Sequence, residues 1–177
     1  MDFHTMIVDG FAADKEALLN RMARLLAAAR KAQMRVIYVV VGFRPGYPEV
    51  SGRNKSFGAL KESGRFTPGS AGTEIHPAVA PTPDEVIVTK HRVGAFLGTD
   101  LDMILRANDI NTLLLTGIAT SGVVLSTLRH AADADYRLVV ARDCCSDSDE
   151  EVHRVLIEKV FARQATVTTS EELIAAL

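Results

Sequence analysis

Hydrophobic and polar positions along this chain follow two periods in turn. From Asp14, "DKEALLNRMARLLAAARKAQ" places Ala17, Leu18, Met22, Leu25, Leu26 and Ala29 on one face of a helix. The next run, "RVIYVVVGF" at 35–43, is continuously apolar and β-branched, as expected of a strand buried on both faces. After residue 84 the two patterns alternate. "EVIVTK", "TLLLTG", "YRLVVARD" and "ATVTT" read as strands. Between and after them, "TDLDMILRAND", "SGVVLSTLRHAADAD", "DSDEEVHRVLIEKVFAR" and "SEELIAAL" read as helices. Thr99 and Asp102 fit a capping box for the first of these, and Asp147 fits the N-cap of the third.

From Arg44 to Asp84 the texture changes to Gly, Pro and Ser, which predicts a long excursion with at most one short helix. Strand and helix otherwise alternate, so the pattern predicts a three-layer α/β/α sandwich with a mainly parallel, Rossmann-like doubly wound sheet. No repeats, heptads or low-complexity segments divide the chain, and residues 1–177 are expected to form one domain. In such folds the site lies where the strands end. The segments of interest are therefore 42–48, 90–98, 117–122 and 143–147.

The amino terminus fits this scheme poorly, because a doubly wound domain begins with a buried strand. Either "TMIVD" at 5–9 is that strand, or the strand lies upstream of residue 1.

Composition narrows the class. With 47% hydrophobic and 24% charged residues the chain is ordinary globular protein. A net charge of −2, few aromatics and no Trp give no basis for nucleic-acid binding. No apolar run reaches the roughly 18–20 residues that span a bilayer, and "MDFHTMIVDGFAADKE" lacks the form of a signal peptide. Cys144 and Cys145 are adjacent and suit neither a disulfide framework nor, alone, a zinc site. A reducing, cytoplasmic setting is the expectation.

The chemistry-bearing candidates are few. No G-x-G-x-x-G follows the early strands and no P-loop is present, which argues against dinucleotide or nucleoside triphosphate binding. His76, His91, His130 and His153 form no metal-ligand spacing. Cys144 or Cys145 could be a nucleophile ahead of a helix, but small residues closing a strand are the plainer reading. Lys90 ends a strand at the expected site edge, where an amine can hold a carboxylate ionised or stabilise developing negative charge. The turn "GIATSG" opens a helix, so its backbone N–H groups can face an anion, whether or not Thr120 or Ser121 caps that helix.

The stretch from Val86 to Asp147, "VIVTKHRVGAFLGTDLDMILRANDINTLLLTGIATSGVVLSTLRHAADADYRLVVARDCCSD", resembles the isochorismatase-like (cysteine hydrolase) family: a lysine, Ala-Phe, Thr-Asp-Leu, then Gly-x-Ala-Thr about thirty residues on. The resemblance continues weakly to "TVTTSEEL". It implies the three-layer fold, a cis peptide at Ile118–Ala119, and a site built from an aspartate, a lysine and a cysteine. In nicotinamidase-like members the thiolate attacks an amide carbonyl while the aspartate handles the proton. The lysine position is Lys90, and the cysteine position falls on Val123, which rules out that covalent route. The Asp-x-His metal motif of nicotinamidases is also missing, since the corresponding stretch is "VGFRPGYP".

The aspartate has two candidates. "MDFH" matches the family's Asp followed two residues later by Gln, with Asp2 as the acid and His4 in the Gln position; Asp9, at the end of "TMIVD", is the less favoured alternative. Asp2 would place the first strand upstream of residue 1.

The resemblance includes members that work without the cysteine, cleaving a vinyl ether by protonation and water attack. The expectation is thus a non-covalent hydrolase of a small carboxylated molecule, at a vinyl ether or C–N bond. Asp2 would transfer the proton, Lys90 would stabilise charge, and Ile118, Ala119, Thr120, Ser121, Gly122 and Val123 would bind the substrate or oxyanion. Neither metal nor other cofactor is expected. Arg44, Arg53 and Lys55 either cover the pocket or are solvated loop charges. The alternative is a catalytically silent member that binds a ligand or partner. A homo-oligomer is expected from the family, with the apolar helix after Gly122 as a plausible contact.

Overall fold

The computed structural model describes residues 1–177 and contains five strands, all paired in parallel. In chain order these are β1 (Ile37–Val41), β2 (Val86–Lys90), β3 (Thr112–Ile118), β4 (Arg137–Ser146) and β5 (Thr166–Thr168). The helices are α1 (Thr5–Phe11), α2 (Lys15–Lys31), α3 (Lys55–Ser63), α4 (Leu101–Ala107), α5 (Leu125–Asp133), α6 (Glu150–Val155) and α7 (Ser170–Ala176).

Helices cover both faces of the sheet, as the alternating pattern predicts. On one face α2 buries Leu18, Leu19, Met22, Leu25 and Leu26 against Tyr38, Ile118, Ala141 and Cys144. On the other face lie Leu101 and Leu105 of α4, Leu128 and Ala131 of α5, and Ile157 and Phe161 beyond α6. α2 begins at Asp14, whose carboxylate accepts the Ala17 N–H at 3.1 Å. α7 carries a complete capping box between Thr169 and Glu172.

The excursion between β1 and β2 contains α3 and one further short turn, Pro77–Val79. It is pinned by its own small core, in which Phe43, Tyr47, Phe57 and Phe66 pack with Val41. Aromatic burial compensates for its lack of regular pairing.

Four expectations about local structure need correcting. "TMIVD" is not a strand but the body of α1. Val8 is the one fully buried residue of that helix, and the Thr5 and Met6 N–H groups are bound by the Glu74 and Gly72 carbonyls of the excursion. The Thr99–Asp102 capping box does not form, because Asp102 turns to Arg106 at 2.8 Å while Thr99 Oγ1 accepts the Leu101 N–H. Asp149 rather than Asp147 caps α6, accepting the Val152 N–H at 3.0 Å. α5 starts four residues after Ser121, because Thr120–Val124 form one wide π turn first.

The sheet itself is interrupted. β1 pairs only with β2, and β3 pairs with β4, which pairs with β5. Between β1 and β3 only residues 1 and 2 form the bridge. Asp2 N donates to Val39 O at 2.8 Å, the Met1 amine to Thr116 O at 3.0 Å, and Ile118 N to Met1 O at 3.2 Å. Behind that bridge an apolar slot of about 190 Å³ separates the two strands.

Candidate active site

Lys90 is the last residue of β2 and lies opposite Val41 at the end of β1. Asp2 is bonded to the other side of β1, so its side chain and that of Lys90 meet across the carboxyl end of that strand. Lys90 Nζ lies 2.8 Å from Asp2 Oδ2, and the two side chains are only 4% and 6% exposed. Lys90 Nζ also donates to Arg92 O at 3.1 Å. Pairing at this distance offsets part of the desolvation cost of burying the two groups. Asp2 Oδ1, by contrast, is buried with no hydrogen-bond partner. A buried acceptor left open beside a satisfied one is uncommon and marks a place for a further donor.

Asp2 adopts a left-handed backbone (φ 57°), a conformation that Asp tolerates better than most residues. His4 holds this segment in place. Its Nδ1 lies 2.5 Å from Thr73 O and its Nε2 accepts the Val41 N–H at 3.1 Å, which fixes a neutral ring with the proton on Nδ1. Burial lowers its pKa, which agrees with that neutral form. Asp9, the alternative acid, is exposed and paired with Lys15 at 2.7 Å, away from Lys90.

The Gly-Ile-Ala-Thr turn meets the ion pair through Met1. A Cβ on Gly117 would stand 2.8 Å from Met1 O, so only glycine permits the approach that makes the Ile118–Met1 hydrogen bond. The Ile118–Ala119 peptide is cis, as the resemblance implied. Ala119, Thr120 and Val123 stand at the head of the π turn, with Thr120 and Val123 fully buried. Three of the backbone donors expected here are already engaged, that of Ile118 by Met1 O. The Ser121 N–H goes to Asp147 Oδ2 at 2.7 Å and the Gly122 N–H to Ala119 O at 3.1 Å.

Two residues that hold this turn escaped the sequence reading. Asp147 binds Ser121, and His153 Nδ1 lies 2.7 Å from the buried Thr120 Oγ1. Both come from the segment that enters α6, 26 and 33 residues away, and no local spacing announces them. The 90–98 loop is tied to α5 as well, where Thr127 Oγ1 accepts the Ala95 N–H at 3.1 Å.

Other candidates fall away from the pair. Cys144 and Cys145 are buried in β4, and burial pushes both thiols up to about 12, the reverse of an activated nucleophile. His130 stacks on Phe96, and His76 caps the 77–79 turn. Arg44 pairs with Glu49, while Arg53 and Lys55 are exposed; none is bonded to Asp2 or Lys90. No three His, Cys, Asp or Glu side chains converge as metal ligands would.

Helices on both faces of a parallel sheet, with an acid–amine pair and a Gly-x-Ala-Thr turn at the strand ends, define an isochorismatase-like three-layer fold. The chain belongs to the isochorismatase family: residues 7–172 match its isochorismatase domain. It is 34% identical over 167 residues to the isochorismatase family protein YecD of Escherichia coli O157:H7, covering 92% of this chain and 84% of that one. It is 35% identical over 138 residues to the ureidoacrylate amidohydrolase RutB of Methylorubrum extorquens, covering 71% of this chain. This chain spans only 56% of that amidohydrolase's length. Among solved structures, an isochorismatase family protein from Desulfovibrio vulgaris superposes with a TM-score of 0.86 at 28% identity, covering 99% of this chain and 94% of that one. No helix is long and apolar enough to cross a membrane.

Proposed function

We propose that this protein hydrolyses a C–N bond in a small carboxylated molecule without a covalent enzyme intermediate. The observation that carries this reading is the buried Asp2–Lys90 pair with Asp2 Oδ1 unpartnered. An ionised carboxylate with one free oxygen can accept a proton from water as that water attacks a carbonyl. Lys90 pairs with the carboxylate at 2.8 Å and offsets the negative charge that develops. The proton taken by Asp2 passes to the departing nitrogen, which leaves as amine or ammonia as the C–N bond breaks. Backbone N–H groups of the 118–123 turn, other than those of Ile118, Ser121 and Gly122, are the donors for the oxyanion.

The amidohydrolase relative favours a C–N bond over the vinyl ether. Direct attack by water is favoured because Val123, in the turn ahead of α5, carries no thiol, and burial raises the pKa of both Cys144 and Cys145. A cytoplasmic homo-oligomer belongs to the same reading. Leu97 and Met103, each 68% exposed, are apolar positions that a partner copy could cover. The burial of Asp2 and Lys90 also supports a second reading, in which the site binds a ligand without turnover.

The test is a panel of ureido, carbamoyl and acyl-amino acids, together with carboxylated vinyl ethers, followed by product mass spectrometry. Turnover of a C–N substrate is expected, insensitive to thiol alkylation and lost in Asp2→Asn and Lys90→Met. Full activity in Asp2→Asn would overturn the mechanism. Calorimetric binding with no product across the panel would establish the second reading instead.

A further inference from the structure

Lys90 ends β2, and beyond it the chain runs without helix or strand until α4 begins at Leu101. A lysine head rides on a flexible four-carbon stem, so its position is set by what its donors bind. The ammonium carries three N–H donors. One goes to Asp2 Oδ2 at 2.8 Å and one to Arg92 O at 3.1 Å. The second anchor of the site lysine is therefore a main-chain carbonyl in an irregular loop. Such a peptide plane turns freely unless its neighbours are tied down.

Arg92 ties it down with its own side chain. Nη1 donates to His91 O at 2.6 Å and Nη2 to Glu49 O at 3.0 Å, so the planar fork bridges the loop and the excursion. Two earlier ties join the same segments. Gly42 N donates to Lys90 O at 3.1 Å, and His91 Nδ1 donates to Gly42 O at 2.5 Å with its ring against Phe43. Residue 92 completes the series, and its carbonyl is the one that reaches Lys90 Nζ. Arg92 is partly buried yet makes no ion pair, and the carboxylate of Glu49 is bound to Arg44 instead. A guanidinium engaged only by neutral carbonyls supplies fixed geometry rather than charge pairing.

We propose that Arg92 is a positioning residue for the hydrolysis described above. Its guanidinium fixes the carbonyl of residue 92, and that carbonyl aims the Lys90 ammonium at Asp2 and at the charge that develops in the reaction. The catalytic consequence rests on that reading, whereas the aim of Lys90 does not depend on turnover. Without the fork, Lys90 keeps Asp2 as its one fixed partner and its stem reaches other rotamers. Lysine at position 92 does not restore the aim, because a single ammonium cannot hold two carbonyls in one plane.

The experiment compares the parent with Arg92→Ala, Arg92→Lys and Tyr47→Phe. Tyr47→Phe removes the 2.6 Å bond from Tyr47 to Arg65 O and so loosens the excursion without touching Arg92. Arg92→Lys serves alone should Arg92→Ala fail to fold. The first readout is trace acetylation of Lys90, located by fragment masses and scaled to the exposed Lys31 and Lys159. Its rate is expected to rise about ten-fold in both Arg92 variants and to stay within about two-fold of the parent in Tyr47→Phe. The second readout uses a C–N substrate that the parent turns over. There kcat should fall about ten- to hundred-fold in both Arg92 variants, with KM within about two-fold. The proposal is overturned if Lys90 acetylation is unchanged in the Arg92 variants, or if Tyr47→Phe raises it as much. It is also overturned if Arg92→Lys matches the parent, or if KM rises while kcat holds, which would make Arg92 a substrate contact. Absence of turnover in the parent overturns the hydrolysis instead, and the acetylation rates still decide what aims Lys90.

Discussion

Asp2 and Lys90 lie 2.8 Å apart in nearly complete burial, and each is tolerable only because of the other. Replacing Lys90 with Met leaves a buried carboxylate uncompensated and is expected to destabilise the fold by about 3–5 kcal/mol in urea unfolding. The double variant Asp2→Leu/Lys90→Met should recover most of that loss, because it removes both charges. Recovery of less than a third would show that the pair's hydrogen bonds, not its charges, dominate. His4 adds a pH dependence. Burial lowers its folded pKa, so the unfolded state binds more protons once pH falls through about 6.5, the ordinary histidine value. Stability is therefore full above that pH and declines below it, and His153, lowered by the same cause, contributes likewise. Urea midpoints from pH 7.5 to 5 should fall, less steeply in His4→Gln. Cys144 and Cys145, with thiols at about 12, should not react with a disulfide reagent at pH 8 until the chain is denatured. At this scale Lys90 was legible because strand ends in an α/β fold are where sites are expected, whereas Asp2 was singled out only by the resemblance of "MDFH" to the family's pattern. The contacts of His4 were not, since His4 meets Thr73 and Val41 only through the folded chain.

At the scale of elements the decisive piece is the turn from Gly117 into α5. The structure braces it from outside, by Asp147 on Ser121 N–H and His153 on Thr120 Oγ1. His153→Ala leaves the buried Thr120 hydroxyl without that partner, and a cost of about 1–3 kcal/mol is expected in thermal or urea unfolding. Asp147→Ala, at a more exposed bond, should cost about 1 kcal/mol. Equal stability of both variants with the parent would mean that the turn holds itself. The sequence located β2, β3 and α2 to within a few residues, because their periodicity is strong. It misplaced the caps of α4 and α6, since any of several nearby Thr and Asp residues could fill those roles. Choosing among them takes neighbours such as Arg106 and Ser121. "TMIVD" reads as a strand by composition, yet its backbone partners lie in the excursion and leave it helical.

Across the whole molecule the sheet is two sheets, and their stability should differ accordingly. β4 is paired on both sides, with Val139 and Val140 matched to β3 and β5, whereas Ile37 and Leu114 face the slot. Amide exchange in the unmodified chain should be slowest within β4 and markedly faster at Ile37 and Leu114, as followed by NMR. Uniform protection across β1, β3 and β4 would contradict an open slot. Gly117→Ala tests the link between halves. Its Cβ would collide with Met1 O, displacing residue 1 from β3 and Asp2 with it, so stability and ligand binding should fall together.

The sequence by itself determined the layers, the parallel strands and the lysine at a strand end. Each of these follows from local periodicity and from the geometry that α/β alternation imposes. Only the tertiary structure decided that Asp2 rather than Asp9 reaches Lys90, and that the site turn is braced by α6. It alone decided that residues 1 and 2 close one end of a slot between two sheets. These are contacts between residues tens of positions apart, set by how the layers pack. No local period encodes a distance of that kind.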